Sequence, residues 1–215
     1  MNGRRMTISK QKKFIYLSAS IFLFLAFVLF ALSVRNDIFR NFDYQTMVAS
    51  QKYTTALADY PFSFLSILAS SEMTFLIVSF IFIYLLYRKR HLFLGIFLYI
   101  LIYPLELLGK LLIYHPKPPL FLFKYVLDFH LPSSYIVQTN YSFPSGHMAR
   151  TAFLAVVLLA IINVKKSAVF KITAVLILTY FMFHSRIYLG EHWFSDVAGG
   201  LLLGSAAGFL SLVFW

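Results

Sequence analysis

Apolar residues run along this chain in blocks too long and too continuous for the alternation of a half-buried helix or strand. Phe14 to Val34 holds 21 residues without a charge, enough for a helix to cross a hydrocarbon layer about 30 Å thick. Phe62 to Tyr87 is a second block, interrupted only by Glu72, and Leu92 to Ile113 is a third, with Glu106 and Lys110 towards its far end. The texture then changes. Tyr114 to Phe143 contains four of the seven prolines, Pro116, Pro118, Pro119 and Pro132, among scattered polar residues, which predicts a loop. Apolar blocks resume from His147 to Val164, Val169 to Phe183 and Val197 to Trp215. The pattern predicts an all-α integral membrane bundle of six transmembrane helices (14–34, 62–87, 92–113, 147–164, 169–183, 197–215), forming one membrane-embedded domain over residues 1–215. The first block is longer than a signal-peptide core and no small-residue cleavage site follows it, so it is expected to be retained. Arg35 to Pro61 has room for an amphipathic segment against the outer surface.

Composition sharpens this. Of the 215 residues 60% are hydrophobic and 13% charged, against about half and a quarter in an ordinary soluble domain. Mean hydropathy is +0.77, and a small soluble globule lacks the polar surface to cover such a chain. Cysteine is absent, which removes disulfides, thiolate nucleophiles and cysteine metal sites.

The charge has a direction. Arg4, Arg5, Lys10, Lys12 and Lys13 precede the first span, Arg88, Lys89 and Arg90 follow the second, and Lys165, Lys166 and Lys171 follow the fourth. Those eleven basic residues share one side with no acidic residue. The positive-inside rule makes that side cytoplasmic, and an even number of spans puts both termini there. The net charge of +11 is thus topological and points to no nucleic-acid partner; no obligate protein partner is evident.

Ionisable side chains at membrane depth are costly, so each is a functional candidate. They cluster in three places on the opposite, extracytoplasmic side: Lys110 with Lys117-Pro118; Pro144-Ser145-Gly146-His147; and Ser185-Arg186 followed by His192 and Asp196. Three fixed cations and a serine hydroxyl suit a multiply charged oxyanion such as phosphate. Ser145-Gly146 opens a helix, whose first N–H groups favour an anion. His192 and Asp196 are four apart, one helical face, so the carboxylate can fix the imidazole tautomer and leave the other nitrogen as a nucleophile. His147, on another helix, is free to protonate a leaving oxygen.

Lys110-x6-Lys117-Pro118, Pro144-Ser145-Gly146-His147 and Ser185-Arg186-x5-His192-x3-Asp196 resemble the three signatures of the type 2 phosphatidic acid phosphatase superfamily, Lys-x6-Arg-Pro, Pro-Ser-Gly-His and Ser-Arg-x5-His-x3-Asp. The second and third match at every fixed position. The six-span layout is similar to the small bacterial membrane members of that superfamily, which also holds vanadium haloperoxidases. The resemblance implies His192 as nucleophile, Asp196 as its partner, His147 as general acid, and Lys110, Lys117, Ser145, Gly146 and Arg186 as phosphate holders, with no metal and no cofactor. Lys117 departs from the pattern: it keeps the charge of the usual Arg and loses the planar fork.

Other polar residues read more plainly. His91, His115, His130 and His184 are read as satisfied polar residues near helix ends. Glu106, one turn before Lys110, is read as its ion-pair partner and Glu72 as an interhelix hydrogen-bonding residue; Glu191 has no assigned role. Arg150 is either an interfacial snorkelling residue or a contact for a second phosphate. Gly199, Gly200 and Gly204 are read as permitting close helix packing. Two histidines and an aspartate could ligate zinc, but the neighbouring cations oppose a metal ion. The function expected is hydrolysis of a membrane lipid phosphomonoester or diphosphate, such as phosphatidylglycerol phosphate, phosphatidic acid or undecaprenyl diphosphate, at the outer face of the cell membrane. The alternatives are a lipid phosphotransferase with the same chemistry and a non-catalytic lipid carrier of the same fold.

Overall fold

The computed structural model describes residues 9–52, 55–87, 93–124, 127, 139–161 and 168–214. Among them the regular structure is helical: α1 (Lys10–Arg35), α2 (Arg40–Gln51), α3 (Ala56–Leu68), α4 (Ser71–Tyr87), α5 (Phe93–Ile96), α6 (Leu98–Leu112), α7 (Gly146–Ile161), α8 (Ala168–Tyr188) and α9 (Phe194–Leu212). A 3-10 turn at Leu120–Leu122 follows α6. The basic groups at Arg4 and Arg5, Arg88 to Arg90, and Lys165 and Lys166, together with His91 and His130, lie outside the described residues.

This is a membrane protein. Three described helices are long and apolar enough to cross a bilayer alone: α1, Val169–Tyr188 within α8, and α9. The block read as one span over 62–87 is instead two helices, α3 and α4, meeting at 56°. The break has a local cause: Ser70 recaps the chain, its Oγ accepting from Met73 N at 3.3 Å and its carbonyl from Thr74 Oγ1 at 2.7 Å. The 92–113 block is likewise divided into α5 and α6. By length and composition the described helices therefore account for three of the six expected spans, or four if the bent pair is one.

Two boundaries move by several residues. α8 continues to Tyr188, past the expected end at Phe183, so Ser185 and Arg186 lie within the helix. Hydropathy falls there because polar side chains enter; the helix persists because they are satisfied internally, Ser185 Oγ donating to Met182 O at 2.8 Å. α9 begins at Phe194, ahead of Val197, because Asp196 in its first turn accepts the Trp193 N–H at 3.0 Å. The expected start of α7 at the Gly146-His147 step holds.

α9 is the central helix, with 61% of its most apolar window buried against 22% for α1 and 22% for α8. It lies between α1, where Ser20 Oγ donates to Ala206 O at 2.8 Å, and α7. Gly200, Gly204 and Gly208 recur at four-residue spacing along its α7 face. A Cβ on Gly204 would run into the Ala149 carbonyl, and one on Gly208 would meet Val156 Cβ at 2.8 Å. The close packing expected of the α9 glycines is therefore present, and it sets how near the two helices carrying the histidines can lie. The Arg35–Pro61 connection supplies α2, which buries Asp43 and Met47 and ties the loop after α6 to α8: Gln51 Nε2 donates to Leu122 O at 2.7 Å and Tyr188 O at 2.9 Å.

Gly204→Ala should lower the unfolding midpoint in detergent by the equivalent of about 2 kcal/mol, the usual scale of overpacking. Gly208→Ala should cost markedly less, because a side chain can yield where a backbone carbonyl cannot. Thermal unfolding of the two variants side by side checks this, and equal midpoints would contradict it.

Candidate active site

Phe143 and Pro144 wedge the second motif into place. The Phe143 ring is fully buried, stacks on Phe27 at 5.8 Å between centroids and fills the space that Gly199 leaves by having no side chain. Pro144 lies against Gly109 of α6 in the same way. Ser145 N then donates to Asp196 O at 2.9 Å, which locks the turn to the first turn of α9. That N–H, expected to be available to an anion, is thus committed to the fold. The Ser145 hydroxyl is buried without a hydrogen-bond partner among the described residues.

The third motif closes on the same point. His192 precedes α9 and does not share a helical face with Asp196, yet its Nδ1 comes within 3.3 Å of Asp196 Oδ2. The first-turn carboxylate reaches back to the residues ahead of the helix, taking Trp193 N with the same oxygen. This leaves His192 Nε2 as the free ring nitrogen. Burial, reinforced by the Arg186 charge, holds the His192 imidazole well below its ordinary pKa, so it is neutral at pH 7.

The cations are compensated in pairs. Glu106 Oε1 takes Lys110 Nζ at 2.7 Å and Glu106 Oε2 takes Arg150 Nη1 at 3.0 Å. The same carboxylate lies where a Cβ on Gly146 would sit, so it rests against the start of α7. Arg150 is buried and its guanidinium lies 5.4 Å from the Tyr103 ring centroid; it does not snorkel. Arg186 is fully buried, pairs with Glu191 and donates to the Ser66 hydroxyl. Lys117, by contrast, is exposed; partial burial and the Lys110 charge lower its pKa.

Lys110, Lys117, Gly146, His147 and His192 all line one cavity of about 1220 Å³, while Ser145, Arg186 and Asp196 are buried in its surroundings. The cavity is also lined by the charged residues Glu72, Glu106, Arg150 and Glu191 and by the apolar residues Phe75, Leu107, Leu120 and Phe123. That volume exceeds what a small-molecule pocket usually needs. Among the described residues no group of three or more His, Asp or Glu side chains has the arrangement of a metal site.

Two residues of this region were not legible as site residues. His115, read as an ordinary satisfied histidine, has Nε2 3.1 Å from Ser195 Oγ, 3.5 Å from Asp196 Oδ1 and 3.6 Å from Asp43 Oδ2. Burial holds it down to about 4, against a weaker opposing pull from Asp37, so it too is neutral at pH 7. Asp43 accepts from Ser195 N at 2.8 Å and Ser195 Oγ at 2.7 Å. The sequence signals were faint: His115 sits inside the Lys110-to-Lys117 interval, and Asp43 shares a helical face with apolar Met47. His184 fits the plainer reading, packed against Phe62 and Tyr180.

The family model of the PAP2 superfamily matches residues 96–215, and the chain belongs to that superfamily. An undecaprenyl-diphosphatase of Sulfolobus acidocaldarius is 40% identical over 74 residues, 34% of either chain; the match spans about a third of that relative's length. Among solved structures, the transmembrane PAP2-type phosphatidylglycerolphosphate phosphatase of Bacillus subtilis shares the fold with a TM-score of 0.71 at 21% identity, over 90% of this chain and 94% of that one. LpxE of Aquifex aeolicus matches with a TM-score of 0.61 at 25% identity, over 79% and 93%.

Glu106→Gln keeps the shape and removes the charge that Lys110 and Arg150 share. Breaking one side of a fully buried pair typically costs about 3 kcal/mol or more; with Glu106 and Lys110 part-buried and Arg150 buried the loss should be smaller, and the unfolding midpoint should still fall. An added oxyanion such as inorganic phosphate should restore part of it by binding the released cations. A thermal melt with and without phosphate reads both effects.

Proposed function

We propose that the chain is a metal-independent lipid phosphate phosphatase that works through a phosphohistidine. The observation carrying this reading is one cavity lined both by two lysines and two histidines of three separate motifs and by the apolar Phe75, Leu107, Leu120 and Phe123. A phosphate head and an apolar tail are the two halves such a cavity fits.

In this reading Lys110, Lys117, Arg186, the Ser145 hydroxyl and Gly146 hold the phosphoryl group and offset the charge that builds on its oxygens. His192 Nε2 attacks phosphorus in line with the ester oxygen. An N–P bond forms as the P–O bond to the lipid breaks, and the departing oxygen takes a proton from His147. Water then attacks the phosphohistidine, giving its proton to His147; the N–P bond breaks and inorganic phosphate leaves. With a diphosphate substrate the departing group is the lipid monophosphate.

The placement in the membrane completes the proposal: six spans in one domain, both termini cytoplasmic, and the cavity opening on the extracytoplasmic side, so that substrate enters laterally from the outer leaflet. The basic residues gathered on the opposite side support that orientation. The Sulfolobus relative supports a polyprenyl diphosphate among the candidate substrates, beside phosphatidylglycerol phosphate and phosphatidic acid.

Purified protein in detergent with EDTA should release phosphate from at least one of these three lipids, and His192→Ala should abolish release. Equal release by the variant would remove His192 as nucleophile. Transfer of label to a second lipid in place of free phosphate would identify a phosphotransferase. Because His192 is held neutral, the acid limb of kcat/KM should lie below pH 6.5, the ordinary histidine value; a limb at or above it would contradict the burial argument.

A further inference from the structure

Behind the His192–Asp196 pair lies a second buried layer, and its protons can be assigned by counting. Ser195 Oγ carries one proton and donates it to Asp43 Oδ2 at 2.7 Å. Its 3.1 Å contact with His115 Nε2 is therefore a hydrogen bond only if the proton sits on the imidazole. That fixes the neutral tautomer of His115 as Nε2–H, which leaves Nδ1 bare; Nδ1 has no hydrogen-bond partner among the described residues. The same Nε2–H also faces Asp196 Oδ1 at 3.5 Å and Asp43 Oδ2 at 3.6 Å. One N–H thus stands between two buried carboxylates from different elements, α2 and α9.

We propose that His115, anchored through Ser195 by Asp43, is a positioning residue for catalysis: its Nε2–H holds Asp196 as the carboxylate that orients His192. The inference rests on the reading of His192 as nucleophile. Asp196 has two oxygens. Oδ2 is taken by His192 Nδ1 and Trp193 N, and Oδ1, fully buried and without a hydrogen-bond partner among the described residues, faces His115 Nε2 at 3.5 Å. Without the His115 N–H, two carboxylates close in a low-dielectric interior favour taking up a proton between them. A protonated Asp196 holds the wrong histidine tautomer as readily as the right one, and a misoriented His192 binds substrate but attacks slowly. The other charged groups acting on this junction are Asp37, Arg186, Lys110 and Lys117, beside the neutral His192 imidazole. Asp37 lies between α1 and α2, so with Asp43 the connection before α3 brings two carboxylates to bear around His115. None of Asp43, Ser195 or His115 lines the cavity, so none is placed to touch the phosphate.

His115→Leu, His115→Gln and His115→Asn separate this role from a packing role. Gln carries an N–H to about the Nε2 position and Asn to about the Nδ1 position. In the phosphate-release assay, with His192→Ala as control, His115→Leu should lower kcat about tenfold or more, because the N–H dipole facing the buried Asp196 Oδ1 is lost and Asp196 then favours its protonated form. KM should stay within about twofold. His115→Gln should recover most of kcat and His115→Asn should not. Wild-type kcat in His115→Leu overturns the proposal, as does a rise in KM that accounts for the loss. If His115→Leu does not fold, the remaining pair decides: kcat higher in Gln than in Asn supports the assignment, and equal values overturn it. Failure of the underlying reading looks different. An inactive wild type, or an active His192→Ala, removes the nucleophile and this inference with it.

Discussion

Asp196 is the constraint on which the rest of the site depends. Its carbonyl accepts Ser145 N, its carboxylate takes Trp193 N and faces His192 and His115, and it stands in the first turn of the most buried helix. Its hydrogen bonds run through the backbone carbonyl and Oδ2 and join the turn before α7 to the residues before α9, while Oδ1, without a hydrogen-bond partner among the described residues, lies 3.5 Å from His115 of the chain after α6. The three motifs are far apart in sequence. One buried acid draws them together.

The glycines of α9 make that convergence possible. Side chains at Gly199 and Gly200 would collide with Phe143 and the Ser145 carbonyl, pushing the Pro144-Ser145 turn off α9 and breaking the bond between Ser145 N and Asp196 O. Helix packing in a bilayer draws little from the hydrophobic effect, since lipid tails are as apolar as side chains, and relies on close contact and buried hydrogen bonds. In this protein the contact surface and the chemical site are the same surface. The same logic explains the carboxylates beside the cations: Glu106 against Lys110 and Arg150, and Glu191 against Arg186. A cluster of like charges assembled at membrane depth without counterions would oppose its own folding.

Much of the candidate site was legible in the sequence, because its residues come in short local motifs: Ser145 beside Gly146 and His147, and His192 close to Asp196, although these two meet through a first-turn carboxylate reaching back and not on the shared helical face the spacing predicted. Glu106 as the partner of Lys110 was legible for the same reason, one helical turn apart. Arg150 was only half legible, since position along a helix does not say whether a guanidinium turns to the lipid interface or to Glu106. Hydropathy misplaced the ends of α8 and α9 because it treats polarity as the end of a helix, whereas Ser185 bonds within its own helix, Arg186 finds Glu191 and Ser66 outside it, and Asp196 accepts the N–H ahead of its first turn. It also joined α3 to α4, since an apolar run carries no mark of the 56° bend that Ser70 introduces.

The sequence by itself determined that the chain is an all-helical membrane protein, that its ionisable residues form three clusters, and which of them have the chemistry to meet a phosphate. Those properties are set by composition and by contacts between near neighbours in the chain. Only the tertiary structure decided what stands behind the site. Asp43 is separated from Ser195 by 152 positions and His115 by 80, and contacts of that reach leave no periodic trace in either segment. What brings Asp43 there is the packing of α2 beneath α9, where a buried carboxylate is tolerated because Ser195 presents two donors to it.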